Sequence, residues 1–224
     1  MLFCSLVIFI HIINKQGFKE KNNKMKIREY ILMVVVSALS FSSYAKEISY
    51  DFIEVSYGTG SVDTDTSAGD VDFDGFTIGG SVSIVPHLAL IASYSSVETD
   101  PLFGVTAEAT DLSFGVLGYT NVAPNTSIFG SFEVVTADAE ATDGVTTIED
   151  DDTGNQITGG IRHMVSDVVE LAAAVTRVDV FDDTETGIGA GIRFYATNSF
   201  SLGVGYSTSS DTDTLSFNAR VDFR

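Results

Sequence analysis

The segment Asp70-Val71-Asp72-Phe73-Asp74-Gly75 matches the first half of a calcium-binding loop, in which alternate carboxylates converge on a hard cation. The match ends there, because Ser81 stands at the twelfth position, where a bidentate glutamate is required, and no helical pattern flanks the segment. A second acidic run occupies 150–152. We interpret both runs as weak divalent-cation sites at most, on loops that charge keeps solvated, and expect no other cofactor. The candidate ligands are Asp70, Asp72, Asp74, Asp150, Asp151 and Asp152.

Residues that could act as a nucleophile or general base are few and scattered. His87 and His163 fall at the same predicted end of the strands, whereas His11 and Cys4 precede a predicted signal cleavage site. The alternating glycines at 187–191 lack the following helix that a nucleotide-binding loop needs to hold phosphate. We therefore predict that the protein is not an enzyme.

Charge is distributed very unevenly along the chain. The whole chain carries a formal charge of −19, yet six of its 12 Lys and Arg residues and only two of its 31 acids precede Lys46. The remainder is therefore still more acidic than the whole, and it repels nucleic acid and anionic lipid unless divalent cations intervene. Nucleic-acid binding is excluded.

The N-terminal region has the pattern of a secretory signal peptide at 25–45. Lys26 and Arg28 provide a basic start, an apolar centre follows, and Ser43-Tyr44-Ala45 provides small residues for cleavage after Ala45. Residues 1–24 form an upstream extension. Either Met25 is the true initiator and the extension is an artefact of start-site choice, or the extension belongs to an unusually long signal or anchor.

From Lys46 onwards, apolar residues alternate with small or polar ones, which indicates β-strands with one apolar and one polar face. The polar face is rich in Gly, Ser and Thr, which suits the interior of a membrane barrel better than the core of a sandwich. The clearest alternation places Leu215, Phe217, Ala219, Val221 and Phe223 on one face.

These patterns predict an all-β fold, a closed antiparallel transmembrane β-barrel formed by residues 46–224. Ten strands are predicted, with eight as the alternative if 168–180 is not a strand. The predicted strands are roughly 47–58, 70–84, 88–98, 106–120, 126–137, 153–164, 168–180, 184–196, 199–208 and 213–223. Their connections alternate between short turns and longer acidic loops at 58–70, 97–107 and 137–153, which we expect outside the cell.

The signal peptide, the alternation and the terminal Arg220-Val221-Asp222-Phe223-Arg224 together resemble small outer-membrane barrels of the OmpA, OmpX and opacity type. The resemblance implies a place in the outer membrane of a Gram-negative envelope, with lipid and lipopolysaccharide as neighbours. Members typically end on an aromatic residue that the barrel-assembly machinery reads. Phe223 is the matching assembly signal here, although Arg224 follows it. The resemblance gives no oligomeric state.

Three charged residues are predicted to point into the lumen. We expect Arg162 to lie opposite Glu170 across a tight turn at Ser166, and Glu170 to lie opposite Arg193 on the next strand. The prediction is an Arg–Glu–Arg ion-pair group, and the alternative is three separately hydrated side chains.

Two functions are compatible with these features. The first is a non-enzymatic structural or surface-interaction protein with acidic extracellular loops. The alternative is a small porin-like channel for ions or small solutes, because the inward face is rich in small residues.

Overall fold

The computed structural model describes residues 47–63, 70–181 and 183–223, which form a closed barrel of ten antiparallel strands. Each strand pairs with its predecessor in the sequence, and β1 closes the barrel by pairing with β10. The strands are β1 Phe52–Val62, β2 Val71–Val85, β3 Leu88–Thr99, β4 Thr106–Ala123, β5 Thr126–Thr142, β6 Thr147–Ser166, β7 Val169–Val180, β8 Asp183–Tyr195, β9 Phe200–Thr208 and β10 Thr212–Asp222.

The predicted fold class and the count of ten strands are confirmed. The region on which the count depended, 168–180, forms β7, which pairs along its length with both β6 and β8. Within the described ranges no helix is both long and apolar enough to cross a membrane.

Alternation separates an apolar outer face from a small and polar inner face. In β4, Leu112, Phe114 and Val116 are exposed on the outside, whereas Ser113 is buried inside. The closed barrel has no unpaired strand edge, because every strand pairs with a neighbour on both sides. The residues predicted to face lipid are exposed, with Ile188 half-exposed: Phe76, Ile78, Ile188, Ile192, Leu215, Phe217 and Val221.

The two ends of the barrel differ. At the terminal end lie both termini of the barrel and the four short connections at 86–87, 124–125, 167–168 and 196–199. At the loop end lie the connections at 100–105, 143–146 and 209–211, and β1 and β7 also end there.

The predicted loop at 137–153 is wrong for most of its length, because β5 and β6 continue through it and leave a connection of only 143–146. Ala137 and Ala139 remain buried while Asp138 and Glu140 remain exposed, so the alternation persists with acids in place of outer apolar residues. Outside a hydrocarbon layer the same strand needs no apolar outer face.

The first strand also begins later than predicted, at Phe52. Glu47–Asp51 carries no strand, and its Ile48 and Tyr50 are buried within the terminal end of the barrel. We call Glu47–Asp51 the N-terminal plug.

Candidate functional site

Arg162 and Glu170 form a bidentate ion pair inside the terminal end of the barrel. Arg162 Nε donates to Glu170 Oε1 at 2.9 Å, and Nη2 donates to Oε2 at 2.8 Å. Their side chains are only 6% and 3% exposed. The two residues are not directly opposite as predicted, because the turn lies at 167–168 and is not centred on Ser166, so that Glu170 pairs with Met164 and Arg162 pairs with Ala172.

Arg193 lies opposite Glu170, as predicted, but binds a different carboxylate. Its Nη2 donates to Glu54 Oε2 on β1 at 2.5 Å. The expected Arg–Glu–Arg group is therefore wrong in its third member, since Glu170 already accepts from Arg162 and from Tyr195 Oη at 2.9 Å. The inward position of Glu54 could have been predicted from the sequence, because Glu54 alternates with the outward-facing Ile53 and Val55 in β1.

The N-terminal plug is fixed by two guanidinium groups that share one acceptor. Arg162 Nη1 donates to the Ser49 carbonyl at 2.7 Å, and Arg220 Nη2 donates to the same oxygen at 2.9 Å. Arg220 Nε also binds Asp222 Oδ1 at 2.9 Å. Tyr50 stacks on Tyr119 with a centroid separation of 4.0 Å. The plug thus combines ionic, backbone and aromatic contacts with the barrel wall.

A hydrogen-bonded polar layer lies on the inner face of β3 to β6. Glu133 accepts from Ser113 and Ser131, each at 2.9 Å, and from Gln156 at 3.3 Å. Ser95 donates to Asp111 at 3.0 Å. Both carboxylates are buried, and these hydroxyl and amide donors stabilise them where water is scarce.

A cavity of about 270 Å³ remains on the opposite side of the lumen. Small and polar residues of β1, β2 and β7 to β10 form its wall, including Ser56, Thr77, Thr176, Ser207 and Ser216. The Oγ1 of Thr77 has no hydrogen-bond partner within the described part of the chain, and the cavity that it lines is polar and large enough to hold water.

Two apolar clusters lie inside the barrel towards the loop end, beside the buried polar side chains of Glu185 and Thr212. One cluster centres on Val135, Val178, Val180 and Phe181. A second cluster contains Val62, Val71, Phe73 and Val97, with Leu102 packed against it. Buried side chains therefore lie inside both ends of the barrel, with the cavity between them.

Outside the barrel, carboxylates line up across five adjacent strands, an arrangement we call the acidic ladder. Each member is exposed, and each lies directly opposite the next in the strand register. Like charges placed directly opposite one another are destabilising. The ladder consists of Asp74, Glu98, Glu108, Glu140 and Glu149.

The model of the outer membrane protein beta-barrel domain matches residues 31–220. This chain belongs to that family. As a member of the outer-membrane barrel family, it is a protein of the bacterial outer membrane. A search among curated proteins found no match.

Solved barrels resemble this family member at low identity. Neisserial surface protein A is 12% identical, with a TM-score of 0.45, and the match covers 78% of this chain and 98% of that one. The transport unit of the Escherichia coli autotransporter AIDA-I is 13% identical, with a TM-score of 0.48 and coverages of 88% and 97%. The KdgM porin in complex with disordered oligogalacturonate is 8% identical, with a TM-score of 0.42 and coverages of 77% and 99%.

Residues 70–75, which match only the first half of a calcium-binding loop, do not have the geometry of such a loop in this barrel. Asp70, Asp72 and Asp74 run into and along an extended strand on its outer face, so their carboxylates are spaced apart instead of converging. Asp151 is exposed on the outside of β6, whereas Asp152 is half-buried and accepts from the Phe181 amide. Asp150 is likewise half-buried. Within the described ranges no group of three His, Cys, Asp or Glu residues could hold a metal ion.

The remaining predicted residues have simple positions. Phe223 follows β10 directly, is half-exposed, and donates its amide to the Asp51 carbonyl at 3.1 Å. His87 Nδ1 contacts the Tyr119 carbonyl at 3.1 Å, and His163 Nδ1 contacts Thr126 Oγ1 at 2.8 Å. Ala45, the signal peptide and residues 1–24 lie outside the described residues.

Proposed function

We propose that this outer-membrane barrel is a non-enzymatic, non-conducting protein that acts through its outer surface, in a structural or surface-interaction role. The observation that carries the proposal is the occupied lumen. A water-filled pore needs a continuous polar path, whereas here the N-terminal plug occupies one end and apolar clusters occupy the other.

The N-terminal plug supports a permanent closure. Its Ser49 carbonyl is held by Arg162 and Arg220, and each of these guanidiniums also binds a carboxylate of the barrel wall. Charge-assisted bonds of this kind are shorter and stronger than neutral ones. Movement of the plug would leave buried charges with fewer partners, which is costly.

The acidic ladder supports a role at the lipopolysaccharide layer. We place the loop end outside the cell and the terminal end in the periplasm, as expected for an even number of strands. In that orientation the ladder carboxylates lie outward of the apolar band formed by residues such as Phe114 and Phe132. Divalent cations would bridge these carboxylates to lipopolysaccharide phosphates and relieve the repulsion between them.

Export and assembly follow from the same proposal. The signal peptide at 25–45 directs the chain through the inner membrane, with cleavage after Ala45. The barrel-assembly machinery then reads Phe223 beside the closing strand β10.

Single-channel recording in planar bilayers tests the proposal. The purified protein is expected to insert without conductance steps, whereas a channel would give discrete steps that scale with salt concentration. Steady conductance from the intact protein would contradict a closed lumen.

A second candidate function, a small channel, is favoured by the cavity of about 270 Å³. It would require the N-terminal plug to leave the lumen. Intermittent conductance of the intact protein that becomes steady when residues 47–51 are deleted would support this alternative and identify the plug as its gate.

A further inference from the structure

Among the residues that the structure describes, three other than glycine adopt a positive φ, and only one of them has neither burial nor a side-chain hydrogen bond to offset the strain. They are His87, Phe103 and Phe181, with φ of 70°, 53° and 56°. The strain of this conformation is offset at His87 by a bond to Tyr119 and at Phe181 by burial to 6% exposure. Phe103 remains 87% exposed.

The turn at Phe103 is well defined, so its exposure is built into the fold. Leu102 and Val105 exchange both backbone hydrogen bonds, at 2.9 and 3.0 Å, and enclose Phe103 and Gly104. Positive φ at both central positions makes this a type I′ turn, which strongly favours Asn-Gly. Leu102 packs against the apolar cluster that contains Val62, Val71, Phe73 and Val97, and this contact anchors the hairpin. A bulky aromatic residue here costs stability without any packing that repays it.

The neighbouring connection adds a second exposed apolar side chain. Thr106 on β4 lies opposite Thr142 on β5, so the connections at 100–105 and 143–146 are adjacent at the loop end. Val145 is 94% exposed there. We call Phe103, Val105, Val145 and Ile148, all exposed, the tip patch.

The negative charge around the tip patch favours a positively charged partner. No lysine or arginine occurs between Glu47 and Ile161, a stretch that contains both connections. Asp100, Asp143 and Glu108 are exposed near the patch. The field of these acids repels a second copy of this chain, nucleic acid and anionic lipid, and attracts a cation.

We propose that the tip patch binds a cationic amphipathic peptide or protein segment, with Phe103 as its apolar anchor. An exposed aromatic side chain in an acidic rim provides the large contact area typical of binding hot spots, and the acids steer a basic partner towards it. The inference rests on the proposed surface role and deepens it by naming the class of partner.

The test uses the protein purified from outer membranes and reconstituted in zwitterionic nanodiscs, with empty nanodiscs as background. The probe is a fluorescent leucine–lysine peptide that forms an amphipathic helix. One control peptide has the same composition in a non-amphipathic order, and another has glutamine in place of lysine. Only the amphipathic cationic peptide is expected to bind tightly.

Phe103→Asn is the decisive variant because asparagine suits a type I′ turn, so lost binding cannot be attributed to a damaged fold. We expect affinity to fall at least about tenfold, with a melting temperature equal to or above that of the parent. Val122→Asn, an exposed site at the terminal end, should bind like the parent. Unchanged affinity in Phe103→Asn, or equal binding of the non-amphipathic peptide, would overturn the proposal.

Conductance of the same preparation separates this inference from the proposed function. If the barrel conducts and Phe103-dependent peptide binding is still seen, the proposed closed lumen is contradicted and the tip-patch proposal stands. If the barrel does not conduct and peptide affinity is the same in Phe103→Asn, the tip-patch proposal is contradicted and the closed lumen stands.

Discussion

Replacing Glu170 with glutamine tests how strongly the buried ion pair stabilises the barrel. The carboxylate accepts two bonds from Arg162 and one from Tyr195, at 2.8 to 2.9 Å. Glu170→Gln replaces the carboxylate with a neutral amide that has one acceptor oxygen, so the buried Arg162 guanidinium loses its counter-charge and one of its two bonds to this residue. Removing one partner of a buried pair costs about 3–5 kcal/mol, so we expect a loss of that size in the free energy of unfolding.

The pair between Arg193 and Glu54 should contribute less. Its side chains are 13% and 24% exposed, so water screens the interaction partly. Glu54→Gln is therefore expected to cost about 1–2 kcal/mol, between the values typical of exposed and buried pairs.

Double-mutant cycles distinguish the observed pairing of Glu170 with Arg162 from a pairing with Arg193, which lies opposite Glu170 in the strand register. Coupling between Glu170→Gln and Arg162→Met should reach about 2 kcal/mol, whereas coupling between Glu170→Gln and Arg193→Met should stay below about 1 kcal/mol. Urea unfolding in lipid vesicles, followed by far-UV circular dichroism, measures each variant. Stronger coupling of Glu170 to Arg193 than to Arg162 would refute the pairing seen in the structure.

Further predictions concern the outer surface. Calcium should raise the unfolding temperature of the protein in lipopolysaccharide vesicles, and Glu108→Gln with Glu140→Gln should reduce that rise; an equal rise in the double variant would exclude the acidic ladder. Epitope tags at 63–70, 100–105 or 143–146 should be labelled on whole cells, and labelling only after lysis would reverse the orientation. The Thr146 and Val145 amides donate to Asp143 and hold the pKa of its carboxyl below the usual value. A lowered pKa in the folded state means that this stabilisation is complete above the unfolded pKa and is lost as pH falls through the folded value. The protection factors of these two amides, which correct for the intrinsic pH dependence of hydrogen exchange, should therefore fall in acid, and protection factors that do not change with pH would contradict this.

Strand parity and turn residues were sufficient to predict most of the barrel. The alternation of Leu215 and Phe217 with polar neighbours predicted β10, and the periodicity at 168–180 predicted β7. The same rule failed at 137–153, where acids replace apolar residues on the outer face although the strand continues. Periodicity reports the environment of a face, so it cannot distinguish a loop from a strand that leaves the hydrocarbon layer.

The site was harder to predict because it depends on contacts between distant strands. Parity placed Arg162, Glu170 and Arg193 inside correctly, but the turn lies at 167–168 and is not centred on Ser166, which changes the register of Arg162. The partner of Arg193 is Glu54, which is far away in sequence and becomes a neighbour only when the barrel closes. The acidic ladder likewise emerges only when the registers of five strands are combined.

Accessibility of the lumen tests the closed barrel most directly. Residues 46–224 contain no cysteine, so a single introduced thiol reports on one position. Thr176→Cys places a thiol in the wall of the central cavity, and Val145→Cys places one at the exposed tip as a matched control. In intact vesicles a charged methanethiosulfonate should modify Val145→Cys rapidly and leave Thr176→Cys unmodified from either side of the membrane. Equally rapid modification of Thr176→Cys would show an open lumen and contradict the account.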